Sequence, residues 1–327
     1  MKLNGTFSFP ETKKLNPQLE RILNKIHSPH FMVELVKRKP FDYHSTSPAE
    51  LISCRLNNGK IVSLFCKYSG NHTQYSYGHR GGVKYEAKVY KNILHKTPLS
   101  SAHFYGVYKE KNNETCLIIQ YLNGSKLLKD QHDPGYFGKA ASWIGSLHKM
   151  YESNPPEAIT DYDTEYYTIW LERVGKLLEK LKKKHPWLPA VCTYFKERMH
   201  LLSDSVKTFI HGEYYTKNIL VQKDIIYPID WESAAIGPGE IDLASLIEGW
   251  DYKRKNIAIK SYLKARWPDG NFSESGFRER LLLVKIYFFF RWTGEYDDPE
   301  VWLERTSWFN NFYSMIKKSG YKQPLEV

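Results

Sequence analysis

No stretch of this sequence is long and apolar enough to span a bilayer. The most apolar run, Leu281 to Phe290, is ten residues long and carries Lys285, where a spanning helix needs ~20 apolar residues. The N-terminal segment MKLNGTFSFPETKK lacks the apolar core of a signal peptide, so a cytoplasmic protein without a membrane partner is expected. Cysteine is scarce: Cys54, Cys66, Cys116 and Cys192 are scattered and form no CxxC pair. That excludes a zinc ribbon or a dithiol redox motif and predicts buried thiols in a reducing compartment. Triplets such as Asn71-His72-Thr73 carry no weight without a secretion signal. No repeat of fixed period and no low-complexity segment appears. GxxxxGK[ST] is absent, which excludes a P-loop enzyme.

What is present is a well-filled globular chain. At 327 residues, it has the length of two domains or one domain with two lobes. Hydrophobic residues make up 42% and aromatics 15%, enough for a buried core, while 25% charged residues make an ordinary surface. The formal charge is +11, from 47 Lys+Arg against 36 Asp+Glu. An excess of this size suits an anionic ligand or is spread evenly over the surface. A nucleic-acid binder would be expected to show a helix-turn-helix, an RNA-recognition motif or a zinc signature, and none is found, so no nucleic-acid partner is expected. The basic run Lys182-Lys183-Lys184, halted by Pro186, reads as dipole partners at a helix C-terminus.

Periodicity divides the chain in two. A short helix, Asn16 to Ile26, precedes β-type material: Phe31 to Val36, then Glu50 to Leu56 and Ile61 to Tyr68 around the hairpin signal Asn58-Gly59. After a polar, Gly-rich stretch, Tyr85, Val89, Tyr90, Ile93 and Leu94 share one helical face. Phe104 to Tyr108 and Thr115 to Tyr121 read as two more strands. Beyond Asn123-Gly124 the pattern turns helical, with Tyr136 to Met150 and Ile169 to Leu181. A β interruption follows: Thr208 to Ile210, then Ile219 to Gln222 and Ile225 to Ile229 as a hairpin around Lys223-Asp224, before helices resume at Ile241. The expected organisation is α+β and bilobal. Residues 1–119 form a small antiparallel N-lobe with one helix, 120–123 a linker, and 124–327 a larger helical C-lobe with an embedded hairpin. A ligand would be expected between two such lobes.

The densest chemistry lies on that hairpin. The loop His211-Gly212-Glu213-Tyr214-Tyr215-Thr216-Lys217-Asn218 precedes its first strand, and Ile229-Asp230-Trp231-Glu232 follows its second. Asn218 and Asp230 flank one tight hairpin, so an amide oxygen and a carboxylate can converge as hard ligands for Mg²⁺. Glu213, five residues before Asn218, can face an incoming hydroxyl. Metal ligands, a cation on the phosphates and a carboxylate that orients the nucleophile are the parts that phosphoryl transfer requires.

His211-Gly212 through Asn218-Ile219-Leu220, followed by Ile229-Asp230-Trp231-Glu232, resembles the catalytic loop and metal-binding aspartate of the aminoglycoside phosphotransferase and choline kinase-like family. That family shares the protein-kinase fold. Trp143-Ile144-Gly145-Ser146-Leu147-His148 and Gly239-Glu240-Ile241-Asp242-Leu243-Ala244 resemble its further motifs in the correct order. The resemblance implies a small-molecule kinase using ATP or GTP and Mg²⁺. It implies that Lys67 is the nucleotide-phosphate lysine with Glu86 as its partner, and that Gln120, Tyr121 and Leu122 meet the base through backbone groups. Asn218 and Asp230 would hold the metal, and Glu213 would orient the acceptor hydroxyl. His211 and Asp242 would support the loop, while His148 reads as a satisfied core histidine.

Two departures from the family stand out. Glu213 occupies a position where the family has Asp, so either the surroundings compensate for the extra methylene or the chain is a pseudokinase that binds nucleotide without transfer. The segment Lys37 to Ser47, expected to cover the nucleotide, has no glycine; hydroxyls of Ser45, Thr46 and Ser47 are the candidate phosphate donors there. The acidic, aromatic segments Asp161-Tyr162-Asp163-Thr164-Glu165-Tyr166-Tyr167 and Glu295 to Glu300 are either solvated loops or an acceptor pocket formed by Asp161, Asp163, Glu165 and Tyr166. A pocket of that kind suits a sugar or amino sugar.

Overall fold

The computed structural model describes residues 8–25, 32–41, 47–69, 80–109, 115–295, 302 and 304–320. In chain order the regular elements are α1 (Thr12–Asn24), β1 (Val33–Pro40), β2 (Ala49–Leu56), β3 (Ile61–Tyr68), α2 (Gly82–Asn92), β4 (Phe104–Lys109), β5 (Thr115–Gln120) and β6 (Lys126–Leu127). Then come α3 (Gly135–Tyr151), α4 (Thr164–Leu181), α5 (Leu188–Arg198), α6 (His200–Ser203), β7 (Thr208–Ile210), β8 (Ile219–Gln222), β9 (Ile225–Pro228) and β10 (Ala235–Gly237). The chain continues through α7 (Glu240–Ile247), α8 (Tyr252–Arg266) and α9 (Glu274–Gly294) to α10 (Thr306–Lys318). The described residues fall into two compact units: 8–69, 80–130 and 218–233 in the first, 131–217 and 234–320 in the second.

The first unit is built on a five-stranded antiparallel sheet of order β1-β2-β3-β5-β4. Strand alternation decides what each face does. Ile52, Cys54 and Leu56 of β2 and Val62, Leu64, Cys66 and Tyr68 of β3 pack with Leu15, Leu19, Ile22 and Leu23 of α1 in one apolar cluster. Ser63, Phe65 and Lys67 therefore point to the opposite face. The β2–β3 turn has the expected chemistry: Gly59 adopts φ +80°, and Asn58 Oδ1 accepts from Lys60 N at 3.0 Å.

Two elements differ from their sequence reading. Helix α1 begins at Thr12 rather than Asn16, because Leu15 is fully buried with Leu19 and draws the preceding turn into the helix despite Pro17. Strand β1 continues through Lys37 to Pro40, where a loop was expected, and pairs with Ser53 to Glu50 after a register shift between Leu35 and Lys37. As an edge strand it needs no apolar alternation. A buried acid fixes it: Glu50 takes Arg38 Nη2 at 2.7 Å and Arg38 Nε at 2.8 Å, and Tyr68 Oη donates to it at 2.5 Å. Residues 42–46, 70–79 and 111–114, with the expected Ser45 and Thr46 donors and the turn after Tyr108, lie outside the described residues.

The β8–β9 hairpin groups with the first unit. Its hydrogen bonds give the reason. β8 pairs with β6, Ser100 Oγ donates to Ile226 O at 2.6 Å, and Gln222 Nε2 donates to Asn123 O at 2.6 Å.

The second unit is helical apart from the short β7–β10 pair. Helices α3 and α8 pack closely because Gly138 and Gly145 of α3 face α8; a Cβ at Gly145 would lie 2.9 Å from Tyr262 O. Helix α9 carries the apolar run Leu281 to Phe290 and is buried on most of its circumference against α4, α5 and α10, with Trp170, Val174, Phe195 and Phe309 in one cluster. Among the described residues, no helix is long and apolar enough to cross a membrane.

Glu50 generates a stability prediction. Glu50→Ala removes the carboxylate that Arg38 and the buried Tyr68 hydroxyl share, which should cost about 2–3 kcal/mol in urea unfolding. A loss below about 0.5 kcal/mol, the range of ordinary surface substitutions, would show that the edge strand does not depend on it.

Candidate active site

Lys67 is the penultimate residue of β3 and is 5% exposed. Its Nζ lies 2.8 Å from Glu86 Oε2, 2.7 Å from Asp230 Oδ1 and 3.8 Å from Glu232 Oε2. Glu86 reaches it from α2, whose entry Arg80-Gly81-Gly82 is fixed by Gly81 N donating to Glu232 O at 2.7 Å and by Gly82 at φ +68°. The other oxygen of Glu86 accepts from Trp231 N at 3.2 Å. Glu232 also pairs with Arg80 Nε at 3.3 Å. Burial opposes the charge on Lys67, but Glu86, Asp230 and Glu232 outweigh it and raise the ammonium well above its ordinary value. Burial raises the Glu86 carboxyl, against the pull of Lys67. It pushes Glu232 up to about 7, again against Lys67. Three carboxylates face two cations here, and the surplus negative charge suits a divalent cation.

Asn218 and Asp230 stand at the two ends of the β8–β9 hairpin, which Ile229 N closes by donating to Asn218 O at 2.9 Å. Asp230 holds φ +66°, a left-handed conformation that Asp tolerates better than most residues, and its side chain is 34% exposed. Among the described residues, no group of three or more His, Cys, Asp or Glu side chains forms a metal cage. Mg²⁺ asks for less: one or two protein oxygens, retained waters and phosphate oxygens. An amide oxygen at Asn218 and carboxylates at Asp230 and Glu232 fit that requirement. Glu232 was not singled out as a metal candidate from the sequence, although it stands in the same Ile-Asp-Trp-Glu motif. In the 120–122 segment, Gln120 N donates to His103 O at 2.8 Å and Tyr121 N to Ser63 O at 3.0 Å. Tyr121 O accepts from Asn123 N at 3.1 Å and Leu122 O from Ser125 N at 3.2 Å.

In the second unit the loop after β7 is held by one carboxylate. Asp242 of α7 is fully buried; its Oδ2 accepts from His211 N at 2.7 Å and its Oδ1 from Gly212 N at 2.9 Å. His148 Nε2 lies 3.1 Å from the same Oδ2, with His148 Nδ1 3.0 Å from Tyr262 Oη. Burial lowers the His148 pKa even against the attraction of Asp242, so the imidazole is neutral at pH 7. Gly239 admits this close packing, since a Cβ there would lie 2.4 Å from Arg266 Nη1 and 2.5 Å from His148 Nδ1. His211 Nδ1 accepts from Glu213 N at 3.3 Å, and Tyr214 Oη anchors the loop to Ala140 O at 2.9 Å.

Glu213 is 4% exposed, and its Oε1 lies 3.3 Å from Arg291 Nη2. Sequence reading missed Arg291; its one signal is a lone arginine following the apolar run Leu281 to Phe290. The acceptor candidates have the following partners. Asp161 pairs with Lys207 at 2.7 Å, and Asp163 caps α4 by accepting from Tyr166 N at 2.8 Å. Glu165 is exposed in the first turn. Tyr166 stacks on Tyr162 at 3.8 Å and meets the Tyr287 hydroxyl at 2.7 Å. Of the second acidic segment, 296–300 lies outside the described residues.

With this geometry in hand, comparison with known proteins is specific. A family model described as a phosphotransferase enzyme family matches residues 90–269, more than half of the chain. The chain belongs to this family. It is a small-molecule kinase with a protein-kinase-like α+β fold. Among solved structures, choline kinase LicA from Streptococcus pneumoniae is similar at 14% identity and TM-score 0.57, covering 94% of this chain and 98% of that one. A putative fructosamine-3-kinase from Haemophilus somnus is 16% identical, with TM-score 0.57 over 92% of this chain and 99% of that one. A spectinomycin phosphotransferase solved with ADP and spectinomycin is 12% identical, with TM-score 0.57 over 95% and 99%. No curated protein matches the sequence. These phosphotransferases share the fold; the side chains described above are this family member's own.

The brace on the loop can be tested through stability. Asp242→Ala strands two backbone amides and His148 in a dry interior, and should cost about 3–5 kcal/mol in urea unfolding, with Asp242→Asn milder because one oxygen still accepts an amide. Equal stability of Asp242→Ala and the unmodified protein would remove the brace from the account.

Proposed function

We propose that this kinase transfers the terminal phosphoryl group of ATP or GTP, with Mg²⁺, to a hydroxyl of a small molecule. The observation that carries this reading is the Lys67 ammonium, held by Glu86 at 2.8 Å and Asp230 at 2.7 Å within an excess of carboxylates. Lys67 would bind the nucleotide phosphates, positioned by Glu86. Asn218 and Asp230 would hold the metal, with Glu232 beside them. When bound, Mg²⁺ neutralises charge on the phosphate oxygens. Glu213 would accept the hydrogen bond of the acceptor hydroxyl and orient it for in-line attack, and His211 and Asp242 would keep the loop in place. Structural neighbours solved with AMP and with ADP support the nucleotide part of the reading.

Two substitutions separate the roles. Asp230→Ala should abolish metal-dependent nucleotide binding in calorimetry while the fold is retained. Glu213→Ala should leave nucleotide binding nearly unchanged and lower transfer about 10²–10⁴-fold. Unchanged Mg·nucleotide affinity in Asp230→Ala would refute the metal assignment. An unmodified protein that binds nucleotide but phosphorylates no acceptor would be the pseudokinase.

For the acceptor we propose a polyhydroxylated molecule, a sugar or amino sugar, met in part by Asp161, Glu165 and Tyr166. Carboxylates and aromatic faces suit hydroxyl hydrogen bonds and ring stacking. Asp163 is left out of the test because its loss would uncap α4. Asp161→Asn with Glu165→Gln should raise the acceptor KM several-fold and leave the nucleotide KM alone. Identical kinetics for a verified acceptor would take this segment out of the pocket.

A further inference from the structure

We propose that Arg291 is a positioning residue that clamps the Glu213 loop and compensates for the length of Glu213. The proposal rests on the reading of Glu213 as the carboxylate that orients the acceptor. Arg291 sits in the last turn of α9 with no solvent exposure. A guanidinium removed from water needs partners, and an apolar side chain would fill the same space without that demand. It bonds the Tyr287 side chain one turn back on its own helix, and its other described hydrogen bonds go to one loop. Nη1 donates to Gly212 O at 3.3 Å, and Nη2 donates to Glu213 Oε1 at 3.3 Å and to Tyr215 Oη at 3.4 Å. The Phe288 and Tyr287 rings flank the cation at 5.1 Å and 5.9 Å. Nε has no hydrogen-bond partner among the described residues, so the fork, rather than the whole donor set, is what the site uses.

The geometry answers the problem that a glutamate poses at this position. One extra methylene adds a rotatable bond and moves the carboxylate, and a misplacement near 1 Å can lower a rate by roughly 100-fold. Arg291 holds the side-chain oxygen and the preceding carbonyl of the same loop at once, so carboxylate and backbone are fixed relative to each other. The anchor is the twenty-one-residue helix α9, buried in the core of its unit. A lysine keeps the charge but presents its donors from a single point on a flexible stem, and so lacks the planar fork that holds two acceptors in a fixed relation.

The test compares Arg291→Lys, Glu213→Gln and Glu213→Asp in the full chain. Amide exchange read by mass spectrometry over residues 209–218 should rise about tenfold in Arg291→Lys and Glu213→Gln, with α4 and the rest of α9 unchanged. With a verified acceptor, Arg291→Lys should lower kcat about tenfold or more while the nucleotide KM stays within about twofold. Glu213→Asp, too short to reach the guanidinium, should lose most of its further sensitivity to Arg291→Lys when the two are combined. Unchanged exchange in the loop, or a rise spread equally over α4 and α9, would overturn the clamp by showing that Arg291 only fills the core. Raised loop exchange with an unaltered kcat would overturn the positioning role. If the unmodified protein phosphorylates no acceptor, the functional reading fails, and the exchange data still decide whether the clamp exists.

Discussion

A charge removed from water has to be met by another charge or by strong hydrogen bonds, and three of the places in this chain where that happens bear on its candidate site. Lys67 among Glu86, Asp230 and Glu232 ties β3, α2 and the end of the β8–β9 hairpin together. Asp242, bonded to two backbone amides and to His148, ties α7 and α3 to the loop after β7. Arg291 ties α9 to that same loop. None of the three is an efficient source of stability, since desolvation offsets much of the attraction. What they supply is a fixed position for polar atoms that bulk apolar packing cannot orient.

Each unit buries a cluster of charges. Around Lys67, burial pushes Glu232 up to about 7 against the attraction of the ammonium. Around Asp242 the acid accepts from two backbone amides, the His148 imidazole is kept neutral by burial, and Arg266 pairs with Glu152 and with Glu240, which Arg280 also meets.

Much of this was legible in the sequence. Hydrophobic period two, the Asn58-Gly59 turn and the change to helical spacing after Asn123 are local signals, and the strands and helices they predict appear with small shifts at their ends. The loop and hairpin residues His211, Glu213, Asn218 and Asp230 were legible because they lie within twenty residues of one another in one motif. Lys67 and Glu86 were nineteen apart, on a strand and a helix whose registers are each set by local periodicity. A periodic pattern fixes which way a side chain points, so a resemblance carried by such residues is informative about direction as well as identity.

Partnership across long separations was beyond the sequence. Arg291 is seventy-eight residues from Glu213, and Asp242 is ninety-four from His148. Nothing in the spacing of an apolar helix says which loop the arginine at the end of its apolar run will meet. That Asp161 pairs with Lys207 and that Asp163 caps α4 was likewise not legible, because such partners are set by what folding brings close. The β8–β9 hairpin groups with the sheet unit despite its place in the helical half, bonded to it through Ser100 and Asn123, contacts that order in the chain does not encode. The sequence by itself determined the elements, the directions of their side chains and the chemistry available. Tertiary structure decided which charges meet, because pairing depends on distances that local periodicity does not encode.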